Sequence, residues 1–238
     1  AGTVAVAERW VADGCKMKGI AAGDVYEGEE WLAGPMTTAR NIRLLIESLE
    51  QGGQPKLPGV STHSSGQKIV RVFPTNLQDK LMFTGFVADV WLEPGKEATQ
   101  GRIYREPATS GAVNLTLGAG NVSSIPPMDV LYKLFVENEV VILKMNPVNE
   151  HVGPKLEEAF KCLIDDGYLA IVYGGIEVGK HLTTHAGVDT LHVTGSDRTY
   201  DAIVWGTDPE DVARRKAADE PINTRPFTAE LGCVTPVI

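Results

Sequence analysis

At 238 residues, 43% of them hydrophobic, the chain is long enough to bury a substantial core as one large domain or two smaller ones. Its formal charge of -9 and pI near 5.1 exclude nucleic acid or an anionic membrane surface as the main partner, because each phosphate contact requires a basic residue. The three widely spaced cysteines, Cys15, Cys162 and Cys233, form neither a disulfide framework nor a zinc-binding pair. No window approaches the roughly 18 apolar residues of a membrane span, and no basic stretch followed by an apolar one opens the chain. A cytoplasmic protein is expected. The chain begins on Ala1-Gly2-Thr3 and stops on the apolar run Thr235 to Ile238, so both ends read as cut.

In chain order, Ile42, Leu45, Ile46 and Leu49 recur at helical spacing and predict a helix over 37–51, with Thr37 or Thr38 as N-cap and Gly52-Gly53 as its stop. Residues 52–66 read as a loop, and Lys68 to Phe73 alternates as a strand. From Asp89 to Glu106 the pattern predicts two strands joined by a long turn at Pro94-Gly95, a protruding β-hairpin. Beyond Gly111, short apolar runs alternate with helical segments. Strands are expected at Val113 to Leu117, Val140 to Leu143, Leu169 to Tyr173 and Thr190 to Val193. Helices are expected over 126–138, over a segment bearing Leu156, Ala159, Phe160 and Leu163, and from Gly174-Gly175 through Gly179. This progression predicts an α/β fold with a Rossmann-like parallel sheet flanked by helices.

In such sheets ligands bind at the carboxyl ends of the strands, where loops and helix starts present free N–H groups. Four segments occupy those positions: Gly118 to Asn121, Lys144 to Pro147, Gly174 to Gly179, and Thr194-Gly195-Ser196. Their glycines permit a phosphate-bearing ligand to approach closely, Lys144 adds a positive charge and Ser196 a hydroxyl. Each glycine alone could equally mark a turn, but four segments in register point to a site.

These residues carry a resemblance. The run from Gly175 through Gly179 and Val188-Asp189 to Thr194-Gly195-Ser196 is similar, without a gap, to the glycine turn, helix and "FTGS" strand of the aldehyde dehydrogenase superfamily. Gly120-Asn121 before Pro126-Pro127 resembles its "PWN" turn, Val141 to Lys144 its "VVLKP" strand, and Glu230-Leu231-Gly232 its "ELGG" motif. The match runs from about Val113 to Ile238; the first hundred residues agree only in general architecture.

The resemblance implies an NAD(P)-dependent oxidation of an aldehyde to a carboxylic acid. Asn121 would stabilise an oxyanion through its side-chain amide, and Glu230, as a partly buried carboxylate, would activate water. For NAD or NADP, Lys144 would approach the adenosine ribose, Gly175 and Gly179 would line the adenine side, and Gly195-Ser196 would meet the pyrophosphate. The family's nucleophilic cysteine falls beyond Ile238. Cys233 stands at the second glycine of "ELGG" as a small packing residue, and Cys162 is expected on the buried face of its helix. The chain alone is therefore expected to lack the oxidation.

Three positions depart from the family's pattern. Pro147 stands where many NAD-using members place an acidic residue, which opens the way to NADP; Gly120 stands for a tryptophan, and Tyr200 for a glycine. The resemblance further implies a bridging, oligomerising element at 89–112 between an N-terminal helical or mixed segment at 1–88 and a nucleotide-binding domain at 113–238, and hence a homo-oligomeric parent. His181 and His185 have the i, i+4 spacing of a zinc pair but lack the glutamate of HExxH, so no metal is expected. Trp91 and Tyr104 read as packing or subunit-contact residues. A CoA-acylating reductase and a non-catalytic nucleotide-binding scaffold are the alternatives.

Overall fold

The computed structural model describes residues 1–106 and 110–232. The chain divides into two compact units, one of residues 1–43 with 108–238 and one of residues 44–107. Among the described residues no helix is long and apolar enough to cross a membrane.

The chain opens with α1 (Gly2–Lys18), whose buried residues Thr3, Val6, Ala7, Trp10, Val11, Gly14 and Cys15 repeat at three- and four-residue intervals and form a single helical stripe. Trp10 is enclosed, and its indole N–H donates to Ser123 Oγ at 2.9 Å. After α2 (Glu27–Trp31) the backbone kinks at Gly34-Pro35, where Gly34 leaves the helical region (φ -122°, ψ -111°), and α3 (Thr37–Glu50) follows. That last helix matches its expected span to within a residue.

The second unit holds an antiparallel sheet, ordered β1-β2-β3, of β1 (Gly59–Thr62), β2 (Lys68–Phe73) and β3 (Ala88–Trp91), with α4 (Leu77–Met82) before its last strand. The hairpin expected over Asp89 to Glu106 is not formed. Its first strand, β3, pairs instead with β2, Ile69 facing Trp91 and Val70 facing Val90. Its second strand is replaced by the one-turn helix α5 (Arg102–Arg105). Arg102-Ile103-Tyr104-Arg105 reads polar, apolar, apolar, polar, without the period of two that marks a half-buried strand, and local bonds win: Tyr104 N–H donates to Gly101 at 3.1 Å and Glu106 N–H to Arg102 at 2.8 Å. Trp91 stays half exposed beside the His63 ring, 5.1 Å between centroids.

The rest of the first unit follows the expected alternation: β4 (Ala112–Leu117), α6 (Ile125–Phe135), β5 (Glu139–Lys144), a 3-10 turn over Pro147–Val152, α7 (Gly153–Ala159), α8 (Lys161–Asp165), β6 (Leu169–Val172), α9 (Ile176–Thr184), β7 (Thr190–Gly195), α10 (Asp197–Val204), α11 (Pro209–Ala218) and β8 (Phe227–Leu231). The five strands are ordered β6-β5-β4-β7-β8, and every pairing is parallel. This is a Rossmann-like sheet flanked by helices, as the resemblance implies.

The two faces of the sheet differ in chemistry. On one, Leu115 and Leu191 join Val188 in an enclosed cluster against which Ile142, Leu182, Ile203 and Phe227 pack. Full burial of each such side chain is worth about 1.5–3 kcal/mol. On the other, beneath α6, Asn114 and Thr116 are buried but polar, and they satisfy each other through Thr116 Oγ1 to Asn114 Oδ1 and Asn114 Nδ2 to Thr190 Oγ1, both 2.8 Å. Arg225 fastens the end of α9 to the start of β7: its guanidinium donates to the Thr183 and Val188 carbonyls at 2.8 Å and to His185 at 3.1 Å.

The single helix expected around Leu156 to Leu163 is broken at Phe160 (φ -107°, ψ 20°) into α7 and α8. The break rotates the following turn, and Cys162, expected on a buried face, is exposed. Cys15 is the buried cysteine; removal from water, with the nearby Glu27 and Glu30, pushes its thiol pKa up.

Candidate functional site

Because all five strands run parallel, their carboxyl ends share one edge, and the order reverses between β4 and β7, the position at which doubly wound sheets hold ligands. Every expected site segment falls on this edge or just beyond it. Gly118 to Asn121 leave β4, Lys144 ends β5, Gly174-Gly175 leave β6, Gly195 ends β7 with Ser196 after it, and Glu230 lies on β8 in register with Thr194. Gly179 sits a turn inside α9 rather than at a strand end.

Lys144 is 7% exposed, and among the described residues its ammonium has no hydrogen-bond or ion-pair partner in the protein. Burial lowers its pKa, and the charge of Glu150 opposes that shift. A buried stem ending in an unmatched cation is a waiting donor. Gly174 adopts φ +121°, which a side chain would oppose, and a Cβ there would strike Val178 at 2.7 Å. Around Gly175 and Gly179, by contrast, an added Cβ would meet nothing within 4 Å, so both backbones face open space. Ser196 caps α10, its Oγ accepting from Thr199 N–H at 3.3 Å.

The departures from the family's pattern have local explanations. A side chain at Gly120 would collide with the Asn146 side chain at 2.8–2.9 Å; the space is taken by the residue two after Lys144. Asn146 in turn accepts from Val148 N–H at 3.1 Å and caps the turn that Pro147 opens. Tyr200 stacks on Phe227, 4.9 Å between ring centroids, and so packs α10 against β8. Glu230 is exposed, not partly buried as expected, since β8 is an edge strand among the described residues and its outer half has no cover. Asn121 is exposed as well, beyond the end of β4, with β7 between that strand and β8.

Sequence reasoning overlooked a supporting layer. Asn149 is buried and donates to the Ala119 carbonyl at 3.1 Å, and Glu150 Oε1 accepts from Gly174 N–H at 2.9 Å. One short turn thus ties the ends of β4, β5 and β6 together. Behind β7, Thr194 Oγ1 donates to Asp129 Oδ2 at 3.0 Å, His192 Nε2 lies 3.4 Å from that oxygen, and His192 Nδ1 is 2.8 Å from Thr228 Oγ1. The signal for this second group was present: Thr190, His192 and Thr194 alternate as a polar face on a strand otherwise apolar.

A hollow of about 650 Å³ lies at the opposite, amino edge among Val113, Leu134, Phe135, Leu163 and Tyr168, away from every one of these groups. The His181 and His185 rings stand edge to face, 5.4 Å between centroids, and among the described residues no group of three metal-ligating side chains occurs. Cys233 lies outside the described residues.

This strand order and edge are those of a Rossmann-like, doubly wound α/β fold. The model of the aldehyde dehydrogenase family matches residues 103–238, and the chain belongs to that family. Solved structures agree in fold: HpcC from Thermus thermophilus is 16% identical with a TM-score of 0.53, covering 98% of this chain and 36% of its own. The aldehyde dehydrogenase KauB from Pseudomonas aeruginosa is 16% identical (TM-score 0.52; 97% and 36% covered). NADP-dependent glyceraldehyde-3-phosphate dehydrogenase from Bacillus halodurans, complexed with NADP, is 17% identical (TM-score 0.51; 98% and 38% covered). The chain therefore spans little more than a third of the length of these structures. No curated protein sequence matches it.

Proposed function

We propose that this chain is the cofactor-binding portion of an NAD(P)-dependent aldehyde dehydrogenase that oxidises an aldehyde to a carboxylic acid. The observation that carries the proposal is Lys144, a lysine with a buried stem whose ammonium has no partner among the described residues, on a glycine-lined edge in a chain of this family. Lys144 would donate to the adenosine ribose, the open backbone at Gly175 and Gly179 would accept the adenine side, and Gly195-Ser196 would face the pyrophosphate. When bound, the dinucleotide supplies the hydride acceptor. Asn121 would donate its amide N–H to the oxygen on which negative charge develops, and Glu230 would take a proton from water.

The nucleophile is none of Cys15, Cys162 and Cys233 in this reading, so the 238-residue chain binds nucleotide without turning over aldehyde. The parent is a homo-oligomer, with residues 89–112 in the contact, and the aldehyde is a small molecule.

The test is calorimetric titration of the chain with NAD and NADP, beside Lys144→Ala. Saturable binding of either nucleotide, weakened about tenfold or more by the substitution, supports the proposal. Absence of binding at millimolar concentration by a folded chain would falsify it.

A further inference from the structure

The family's acidic position is Pro147 here, yet the fold returns a carboxylate to the same edge by another route. Pro147 opens the 3-10 turn, Asn146 caps it, and the tight rise carries Glu150 to the end of β6, where Oε1 meets Gly174 N–H at 2.9 Å. Lys144, at the end of the neighbouring strand β5, lies within the field of Glu150 but forms no ion pair with it. The ends of adjacent strands thus present an ammonium and a carboxylate. Only one lone pair of that carboxylate is held by Gly174, which leaves acceptor capacity for a ligand hydroxyl.

The location is informative in itself. β5 is the second strand of the sheet in chain order and neighbours the first, and in doubly wound folds an acidic residue following that strand reads the ribose 2′-hydroxyl of a bound dinucleotide. The surrounding charge points the same way. Neither 144–152 nor 173–179 contains an arginine, whereas Glu157 accepts from Tyr173 at 2.6 Å and Glu177 sits in the first turn of α9. A 2′-phosphate would bring close to two further negative charges against Glu150, with Lys144 as the nearby cation on β5 and Lys180 already paired with Glu177 at 3.4 Å.

We infer that Glu150 makes this chain select NAD over NADP, by accepting a hydrogen bond from the adenosine 2′-hydroxyl and repelling a phosphate at that position. The inference rests on the nucleotide-binding reading above. It reverses the expectation that the loss of an acidic residue at Pro147 admits NADP.

The experiment titrates the 238-residue chain and Glu150→Gln with NAD, NADP, 5′-AMP and adenosine 2′,5′-bisphosphate, with a thermal melt of each protein. Glutamine keeps an acceptor for Gly174 N–H and removes only the charge. The unmodified chain should prefer NAD and 5′-AMP over their 2′-phosphorylated counterparts by about tenfold, and Glu150→Gln should narrow the gap to about threefold, chiefly by improving the phosphorylated ligands. Equal binding of both by the unmodified chain, or an unchanged ratio in a folded Glu150→Gln, overturns the assignment of Glu150 and leaves nucleotide binding intact. Failure of all four ligands to bind overturns both. Should Glu150→Gln fail to fold, the ratio in the unmodified chain still decides, since a preference for NADP is incompatible with the inference.

Discussion

The side-chain amide of Asn149 donates to the carbonyl of Ala119 at 3.1 Å, and both residues are buried. This bond joins the turn after β5 to the loop after β4. Replacing Asn149 by Leu leaves a buried carbonyl without its donor, which costs about 1–3 kcal/mol. Urea unfolding should register that loss, and nucleotide affinity should fall with it, because Gly118 to Asn121 would no longer be pinned to the neighbouring strand end. A change in stability below about 0.5 kcal/mol would mean that water reaches Ala119 and that the bond has no holding role.

Arg225 offers a second test, because one guanidinium serves the carbonyls of Thr183, Val188 and His185 at once. Asn223 also donates to the Thr183 carbonyl and Val188 N–H to that of His185, so Arg225→Ala should destabilise the chain by about 1–3 kcal/mol, chiefly through the Val188 carbonyl. Arg225→Lys should recover less than half, since a point charge cannot reproduce the fork. Hydrogen exchange would locate the effect: Val188 N–H, which bonds to His185, should lose protection before the amides of β5 do.

A third prediction concerns acid. Burial pushes the His151 pKa below its ordinary value of 6.5, against the opposing pull of the Val148 carbonyl and of Asp13. The unfolded chain therefore binds this proton more readily, and stability rises with pH across the interval. The contribution is whole above about pH 6.5 and is lost as pH falls from there through the lowered value of the folded state. Melting temperature should drop between about pH 7.5 and about pH 5, and drop less in His151→Gln. An equal drop in both proteins would assign the acid sensitivity to other groups.

The sheet was legible because parallel strands buried on both faces read as short apolar runs between helical segments, and Val140 to Leu143 or Leu169 to Tyr173 admit few other interpretations. Glycines and Lys144 could be put on the ligand edge for the same reason. The helix break at Phe160 was not legible, since the apolar spacing on either side fits one continuous helix and only the exposure of Cys162 reveals the change of phase. The fate of Arg102–Arg105 turned on a choice between local and cross-strand hydrogen bonds, which four residues cannot decide. Asn149 and Glu150 escaped notice because their roles depend on a 3-10 turn, a structure with no periodic signature of its own.

The separation of the two sheet edges bears on how such a chain can diverge. Gly120 and Pro147, two of the positions that break the family's pattern, lie just after the carboxyl edge, whereas the third, Tyr200, packs on Phe227 beside the apolar cluster around Leu115 and Leu191. Changes at the first two leave the apolar core untouched; changes at the cluster alter whether the chain folds at all. A lineage carrying this sheet can therefore exchange ligands by editing loops while the apolar scaffold beneath is inherited unaltered.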